Sequence, residues 1–253
     1  MNSTLSIITA TFNAASTVAD CLKSVASQTH RAEHFLIDGA STDTTLEIVR
    51  RIAPANTRII SEPDHGIYDA MNKGIALATG EIIGILNADD FYASPDVLSM
   101  VAKTFDDPTV MSCYGDLEYV KSAGARNFSV VRYWKSGRFT SRSFYWGWMP
   151  PHPAFFVRKS VYEQHGLFNL NLGSAADYEL MLRLLLKERI SSVYIPEVLV
   201  RMRIGGASNR NFTARLAANR MDRKAWEING LMPYPWTLLC KPVRKIGQYL
   251  VRR

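Results

Sequence analysis

The first 105 residues alternate short β-rich apolar runs with amphipathic stretches four times over, and this alternation constrains the fold more than any other feature of the sequence. Residues 5–12 precede a helical pattern over 16–28, 34–38 one over 43–52, 58–61 one over 66–79, and 82–87 one over 95–105. Strands separated by helices of this length predict a parallel α/β sheet. In the first helix Val18, Leu22, Val25 and Ala26 recur at three- and four-residue spacing, with Ser16 placed as a cap. Each predicted strand ends in polar residues: Thr11 and Asn13, then Asp38, then Glu62 and Asp64, then Asn87, Asp89 and Asp90. In open α/β sheets the ligand crevice lies at the carboxyl ends of the strands, so these groups are expected to converge there.

Beyond residue 110 the alternation gives way to longer β-like segments at 111–120 and 128–134 and an aromatic loop at 144–148. A strand at 154–157, a helix at about 176–188, an extended run over 193–203, a Gly205-Gly206 turn and a basic helix around 212–228 follow. This half reads as antiparallel or irregular. The last stretch is amphipathic, with Trp236, Leu239, Cys240, Val243, Ile246 and Leu250 alternating with Lys241, Arg244, Lys245, Arg252 and Arg253. A chain of 253 residues buries roughly 70–75% of its unfolded surface and needs no disulfide staples. Cys21, Cys113 and Cys240 are too few and too scattered for a disulfide framework or a zinc site, which fits a reducing, cytoplasmic setting. No targeting leader and no run of ~20 apolar residues is visible.

The net charge of +7 at first suggests nucleic acid or anionic lipid. Its distribution argues otherwise: residues 1–118 sum to −9, 119–162 to +8, 163–200 to −2 and 201–253 to +10. An acidic body with two basic segments is not a uniformly basic nucleic-acid module. A dinucleotide fingerprint is absent, because the turn after the first strand, Thr11-Phe12-Asn13-Ala14-Ala15, has no glycine to let a pyrophosphate approach. Asn87-Ala88-Asp89-Asp90 offers another way to neutralise a diphosphate, since clustered acidic oxygens at a strand end suit Mg²⁺ or Mn²⁺. The alternative is that Asp89 and Asp90 only cap the helix starting near Pro95.

Ser6-Ile7-Ile8-Thr9-Ala10-Thr11-Phe12-Asn13, Leu36-Ile37-Asp38-Gly39-Ala40-Ser41-Thr42-Asp43 and Asn87-Ala88-Asp89-Asp90, in this order at successive strand ends, resemble the family 2 inverting glycosyltransferases of the GT-A fold. The segment from Ser61 to Gly74 resembles the branch of colanic-acid and other surface-polysaccharide transferases, and the likeness runs from about residue 3 to 208. The resemblance implies an α/β GT-A fold: a Rossmann-like nucleotide-binding parallel sheet joined to a smaller acceptor-side region, with C-terminal helices. It divides the chain into a catalytic domain over 1–209, with a nucleotide-sugar half at 1–110 and an acceptor half at 111–209, and a basic helical extension over 210–253.

Carried over residue by residue, the resemblance places Thr11, Asn13 and Asp38 at the base and ribose of a nucleoside-diphosphate sugar. Asp69, Asn72, Asn87 and Asp89 border the same donor pocket. Asp43 is read as a helix cap. Asp89 falls at the second acid of the family's metal motif, with Asn87 in place of the first, so Mg²⁺ or Mn²⁺ would be held by Asp89 through an amide neighbour or together with Asp90. Asp177 matches the catalytic base, although the acid that usually precedes it is Ala176 here. Arg201 and Arg203 stand where related enzymes close a loop over the phosphates, and His152 and Trp148 face sugar and diphosphate. Trp146 and Trp148 are equally readable as core residues. The implied acceptor is a saccharide or lipid-linked saccharide, with 231–253 as a contact for an anionic membrane surface and the inner face of the cell membrane as a peripheral location; no nucleic-acid partner is expected. A nucleotidyltransferase and a nucleic-acid-binding protein remain as alternatives.

Overall fold

The computed structural model describes residues 3–122, 127–205 and 212–248. The four expected strand–helix units form in order: β1 (Leu5–Thr11), α1 (Val18–Ala26), β2 (Glu33–Asp38), α2 (Thr45–Ile52), β3 (Thr57–Ser61), α3 (Ile67–Leu77) and β4 (Ile82–Ile85), completed by α4 (Val97–Thr104). Between β4 and α4 lies a short strand, β5 (Asp90–Tyr92). The part beyond residue 110 contributes β6 (Ser112–Ser122), β7 (Phe128–Trp134), β8 (Phe155–Arg158), α5 (Lys159–His165), α6 (Ala176–Met181) and β9 (Ser192–Arg203), followed by α7 (Phe212–Ile228) and α8 (Thr237–Gly247). The expected turn residue Gly206, the loop that follows it, and Leu250, Arg252 and Arg253 lie outside the described residues.

One mixed sheet carries the molecule, in the order β3-β2-β1-β4-β8-β6-β9-β5, with β7 also paired to β6. Strands β3, β2, β1 and β4 are parallel, as the repeats predict. β1 is buried along its whole length, which is what a strand covered on both faces requires. Its alternate residues meet different helices: Ile8 packs with Ala70, Met71 and Ile75 of α3, and Ile7 with Cys21 of α1 and Val101 of α4. Gly74 allows the α3 contact, because a Cβ there would stand 2.3 Å from Ile8 Cγ2.

Three features differ from the expectation. The run at 90–92 is a strand because β9 pairs with it antiparallel, a contact that local pattern does not encode. The part beyond residue 110 is mixed rather than antiparallel: β6 runs parallel to β9 but antiparallel to β7 and β8, since the chain makes a long crossover through α5 and α6 before β9. The helix expected to about 188 is α6 followed by a π-helical run at Leu182–Lys187. Arg183 in that run pairs with buried Glu179 at 2.9 Å and donates to the carbonyls of His165, Gly166 and Leu167, tying the helix to the loop that precedes it.

The C-terminal extension is packed onto this body. Ala225 and Trp226 of α7 are fully buried in the same core as Tyr178 and Leu182, and Trp226 Nε1 donates to the Tyr178 hydroxyl at 2.9 Å. The three cysteines are free, with Cys21 and Cys113 buried. Among the described residues no helix is long and apolar enough to cross a membrane.

His34 is buried beneath β1, with Nε2 2.9 Å from Thr9 Oγ1, and burial lowers its pKa to about 4. The unfolded chain therefore binds a proton that the folded chain refuses between pH 6.5 and 4. The neutral ring contributes its full stability above pH 6.5, and roughly 3 kcal/mol is expected to be lost as the pH falls through that window. Urea titrations at several pH values check this; His34→Gln should flatten that part of the profile.

Candidate active site

Three strand ends lie side by side, with Thr11 of β1 in register with Asp38 of β2, and Asp38 with Ser61 of β3. Asp38 is fully buried, and its carboxylate accepts from the Ser41 N–H (2.9 Å), the Ser41 hydroxyl and the Ser61 hydroxyl (2.8 Å). Asn13 adopts a left-handed φ of 49° and accepts the N–H groups of Thr42 and Asp43 on Oδ1. Asp43 accepts from the Thr45 N–H at 2.9 Å and so fixes the start of α2. The turns after β1 and β2 are thus fastened to each other. Thr11 Oγ1 is buried among them without a hydrogen-bond partner. Asp64 closes the third side: Gly39 lacks a side chain where a Cβ would stand 2.4 Å from Asp64 Oδ2.

After β4 the chain turns through Asn87 and Asp89 into β5. Asn87 Nδ2 donates to Asp90 Oδ2 at 3.1 Å, while Asn87 Oδ1 and Asp90 Oδ1 are buried without partners. Burial, and then the charge of Asp89, push the Asp90 carboxyl well above the usual range. Arg203, at the end of β9, secures this turn from outside: it donates to the Asp89 carbonyl at 3.0 Å, pairs with Asp20 of α1, and lies over the rings of Phe91 and Phe128. Among the described residues no group of three or more His, Cys, Asp or Glu side chains is placed to hold a metal. The oxygens of Asn87 and Asp89 nevertheless fit a hard cation of the Mg²⁺ type, which takes one or two carboxylates from a protein and fills its sphere with water and phosphate.

Asp177 occupies the first turn of α6 and is half-buried. Tyr68 of α3 lies beside Asp177; burial first, and then the charge of that carboxylate, raise the Tyr68 pKa. His152 stands near the same carboxylate. Its Nε2 is buried and unpaired, and burial lowers its pKa against the opposing pull of Asp177, so the ring is neutral at pH 7. Phe168 packs against both Tyr68 (5.3 Å between ring centroids) and His152 (5.6 Å). Tyr68 of α3, His152 and Phe168 thus meet beside Asp177.

Residues 6–166 match the family model described as Glycosyl transferase family 2. The chain belongs to this family. The transferase is 33% identical over 210 residues to the PGL/p-HBAD biosynthesis glycosyltransferase of Mycobacterium tuberculosis, covering 81% of this chain and 78% of that one. It superposes on S. aureus TarS 1-349 in complex with UDP-GlcNAc with a TM-score of 0.65 at 18% identity, over 86% of this chain and 65% of that one. The mannosyltransferase PcManGT of Pyrobaculum calidifontis, solved with GDP-Man and Mn2+, gives a TM-score of 0.63 at 21% identity, over 99% of this chain and 70% of that one. At these identities the likeness is one of fold, and the fold is GT-A. Family membership disfavours the nucleotidyltransferase and nucleic-acid-binding alternatives.

Several expected positions of the transferase have other work in the structure. Trp148 is core rather than a sugar platform: it is 4% exposed, donates to the Ser136 carbonyl at 2.7 Å and packs edge-on against Phe144. Asn72 is engaged by the chain itself, because its amide both donates to and accepts from the backbone of Phe168 at 3.0 Å. Asp69 accepts from the His65 N–H at 3.0 Å, which lowers its pKa, and it steadies the loop entering α3. Asp90 is fully buried at the start of β5, with one carboxylate oxygen accepting from Asn87 and the other buried like Asn87 Oδ1. Arg201 is paired with Glu118 at 3.0 Å. Tyr68 was not singled out from the sequence, whereas Asp64 was expected among the polar groups at the strand ends. Tyr68 had a signal, lying four residues before Asn72 and so on the same face of α3.

A cleft of about 340 Å³ also opens beside α6 between Leu167, Arg183 and Ile228. Three of its polar walls are tied together, with Glu179 accepting from both Arg183 and Asn229.

Proposed function

We propose that this transferase moves a sugar from a nucleoside-diphosphate sugar to an acceptor hydroxyl with inversion at the anomeric carbon, in surface-polysaccharide or glycolipid biosynthesis of the kind the colanic-acid branch carries out. The observation that carries the reading is the half-buried Asp177 carboxylate in the first turn of α6, beside Tyr68 of α3, together with strand ends stapled around Thr11 and Asp38. A base so placed takes the acceptor proton as that oxygen bonds to the anomeric carbon and the bond to the diphosphate breaks. One carboxylate suffices for a single displacement, and its product is inverted.

Thr11, Asn13 and Asp38 are assigned to the nucleoside, with Asp64 beside them. Asn87 and Asp89 are assigned to Mg²⁺ or Mn²⁺, which when bound would offset the charge building on the leaving diphosphate. Arg203 keeps that turn in place. The donor complexes of TarS and PcManGT, with Mn2+ in the latter, support a nucleotide-sugar donor and a divalent ion. The relative named for PGL/p-HBAD biosynthesis supports a place in polysaccharide or glycolipid biosynthesis.

Titrating UDP and GDP, and their sugars, with and without Mn²⁺ tests the donor assignment. Asp89→Ala is expected to weaken Mn²⁺-dependent binding by about tenfold or more and to remove its sensitivity to EDTA. A wild-type affinity indifferent to EDTA, or an Asp89→Ala affinity equal to it, would overturn the metal assignment.

A further inference from the structure

An apolar cluster is exposed where the aromatic loop at 144–148 meets the segment from 232 to 243. Trp146 is 52% exposed, Trp236 44%, Leu239 67% and Val243 63%, with Tyr234 and Met232 beside them at 47% and 85%. The aromatic members are in contact: Trp146 with Trp236 at 6.1 Å between centroids, and Trp236 with Tyr234 at 5.1 Å. Leu239 and Val243 are four residues apart on α8 and so share one face. Soluble proteins rarely leave such a contiguous apolar surface without a use for it.

The cluster is built from two segments that the fold fixes together. Gly147, at a φ of 72°, brings the aromatic loop so near α8 that a Cβ there would stand 2.5 Å from the Lys241 nitrogen. Thr237, fully buried, donates to the Tyr145 carbonyl at 2.8 Å. Lys241 pairs with Asp222 of α7 and lies 3.5 Å from the centre of the Tyr178 ring. The two segments are rich in basic residues. Residues 119–162 hold eight basic and no acidic side chains, no acidic residue follows Glu227, and Arg138, Arg142 and Arg244 are exposed.

We infer that Trp146, Trp236, Leu239 and Val243 form a membrane-docking face that seats the protein on an anionic lipid surface, with Arg142 and Arg244 at the headgroups. Tryptophan and tyrosine at the rim of an apolar face, flanked by arginine, is the chemistry of a bilayer interface. A second copy of the chain fits less well, since a two-fold contact through this face would oppose like charges. Lys241 stacks on Tyr178, the residue after Asp177, so docking sets the base helix close to the lipid. That last point rests on the proposed transfer in glycolipid biosynthesis; the docking face does not.

The full chain is tested by co-sedimentation with vesicles of phosphatidylcholine, with and without phosphatidylglycerol. Wild-type protein is expected to pellet with the anionic vesicles and to be released by high salt. Leu239→Asp combined with Val243→Asp should weaken that binding about tenfold or more. Arg142→Glu combined with Arg244→Glu should remove the preference for phosphatidylglycerol. Unchanged circular dichroism melts show that these exposed substitutions leave the fold intact. Transfer to a water-soluble acceptor by the Leu239, Val243 double variant should stay within about twofold of wild type, so that a failure of docking and a failure of the transfer reading are told apart. Wild-type protein that stays in the supernatant, a double variant that pellets like wild type, or a dimer that the double variant disperses would each overturn the inference.

Discussion

Asp177→Asn is expected to lower turnover by about 10²–10⁴-fold, the usual contribution of a positioned general base, while nucleotide-sugar affinity stays within about threefold of wild type. The substitution isolates the proton acceptor. Asparagine has the same shape, and its carbonyl oxygen can still accept from the Tyr178 N–H that Asp177 holds at 2.7 Å. What it loses is the ability to take the proton from the attacking hydroxyl. Single-turnover transfer and calorimetric donor titration separate the two quantities. Turnover within about tenfold of wild type would remove Asp177 from the role, because a group that only shapes the site is not needed for proton transfer. Equal losses in binding and turnover would mean that the substitution had disturbed the join with α3.

Trp226→Ala is expected to cost about 3–5 kcal/mol of stability, among the largest effects of a single truncation. The indole is fully buried, packs on Tyr145 at 5.0 Å between ring centroids and donates to Tyr178. Its removal leaves a cavity and strips the Tyr178 hydroxyl of its donor. Urea denaturation followed by tryptophan fluorescence and circular dichroism measures the change. A cost below about 1 kcal/mol would mean that α7 lies loosely on the body, since a well-packed indole cannot be lost so cheaply. A large cost makes α7 part of the catalytic fold, although the sequence likeness that marked this fold ends near residue 208.

The donor half was legible because its signals are local. Alternation of short β-rich runs with helical periodicity marks each unit from 5 to 105, and polar residues such as Thr11, Asp38 and Asn87 fall where strands end. The acceptor half was harder to read for physical reasons. Three residues, 90–92, make a strand only because β9 lies beside them. Trp146 and Trp148 are two positions apart in one aromatic run, yet the first is exposed and the second buried. Residue type does not distinguish them; the left-handed Gly147 between them does. Asn72 is a polar residue on a helix near a pocket, and its use by the Phe168 backbone depends on a contact 96 residues away. Reading acids first also passed over Tyr68, which lies beside Asp177.

The fastening of the Asn87–Asp90 turn by β9 carries a consequence for how the protein is made. Asp90 pairs with Met202, and the guanidinium that holds the Asp89 carbonyl belongs to Arg203, 114 positions further along the chain. Such distant closures form late, because the entropy of the intervening loop must be overcome first. During synthesis the parallel units leave the ribosome early, while the turn assigned to the metal waits for the last strand of the sheet. A nascent or truncated chain that stops short of β9 would hold the nucleoside turns but lack the brace on the diphosphate end. Competence for the reaction would then arrive only once the acceptor half is in place.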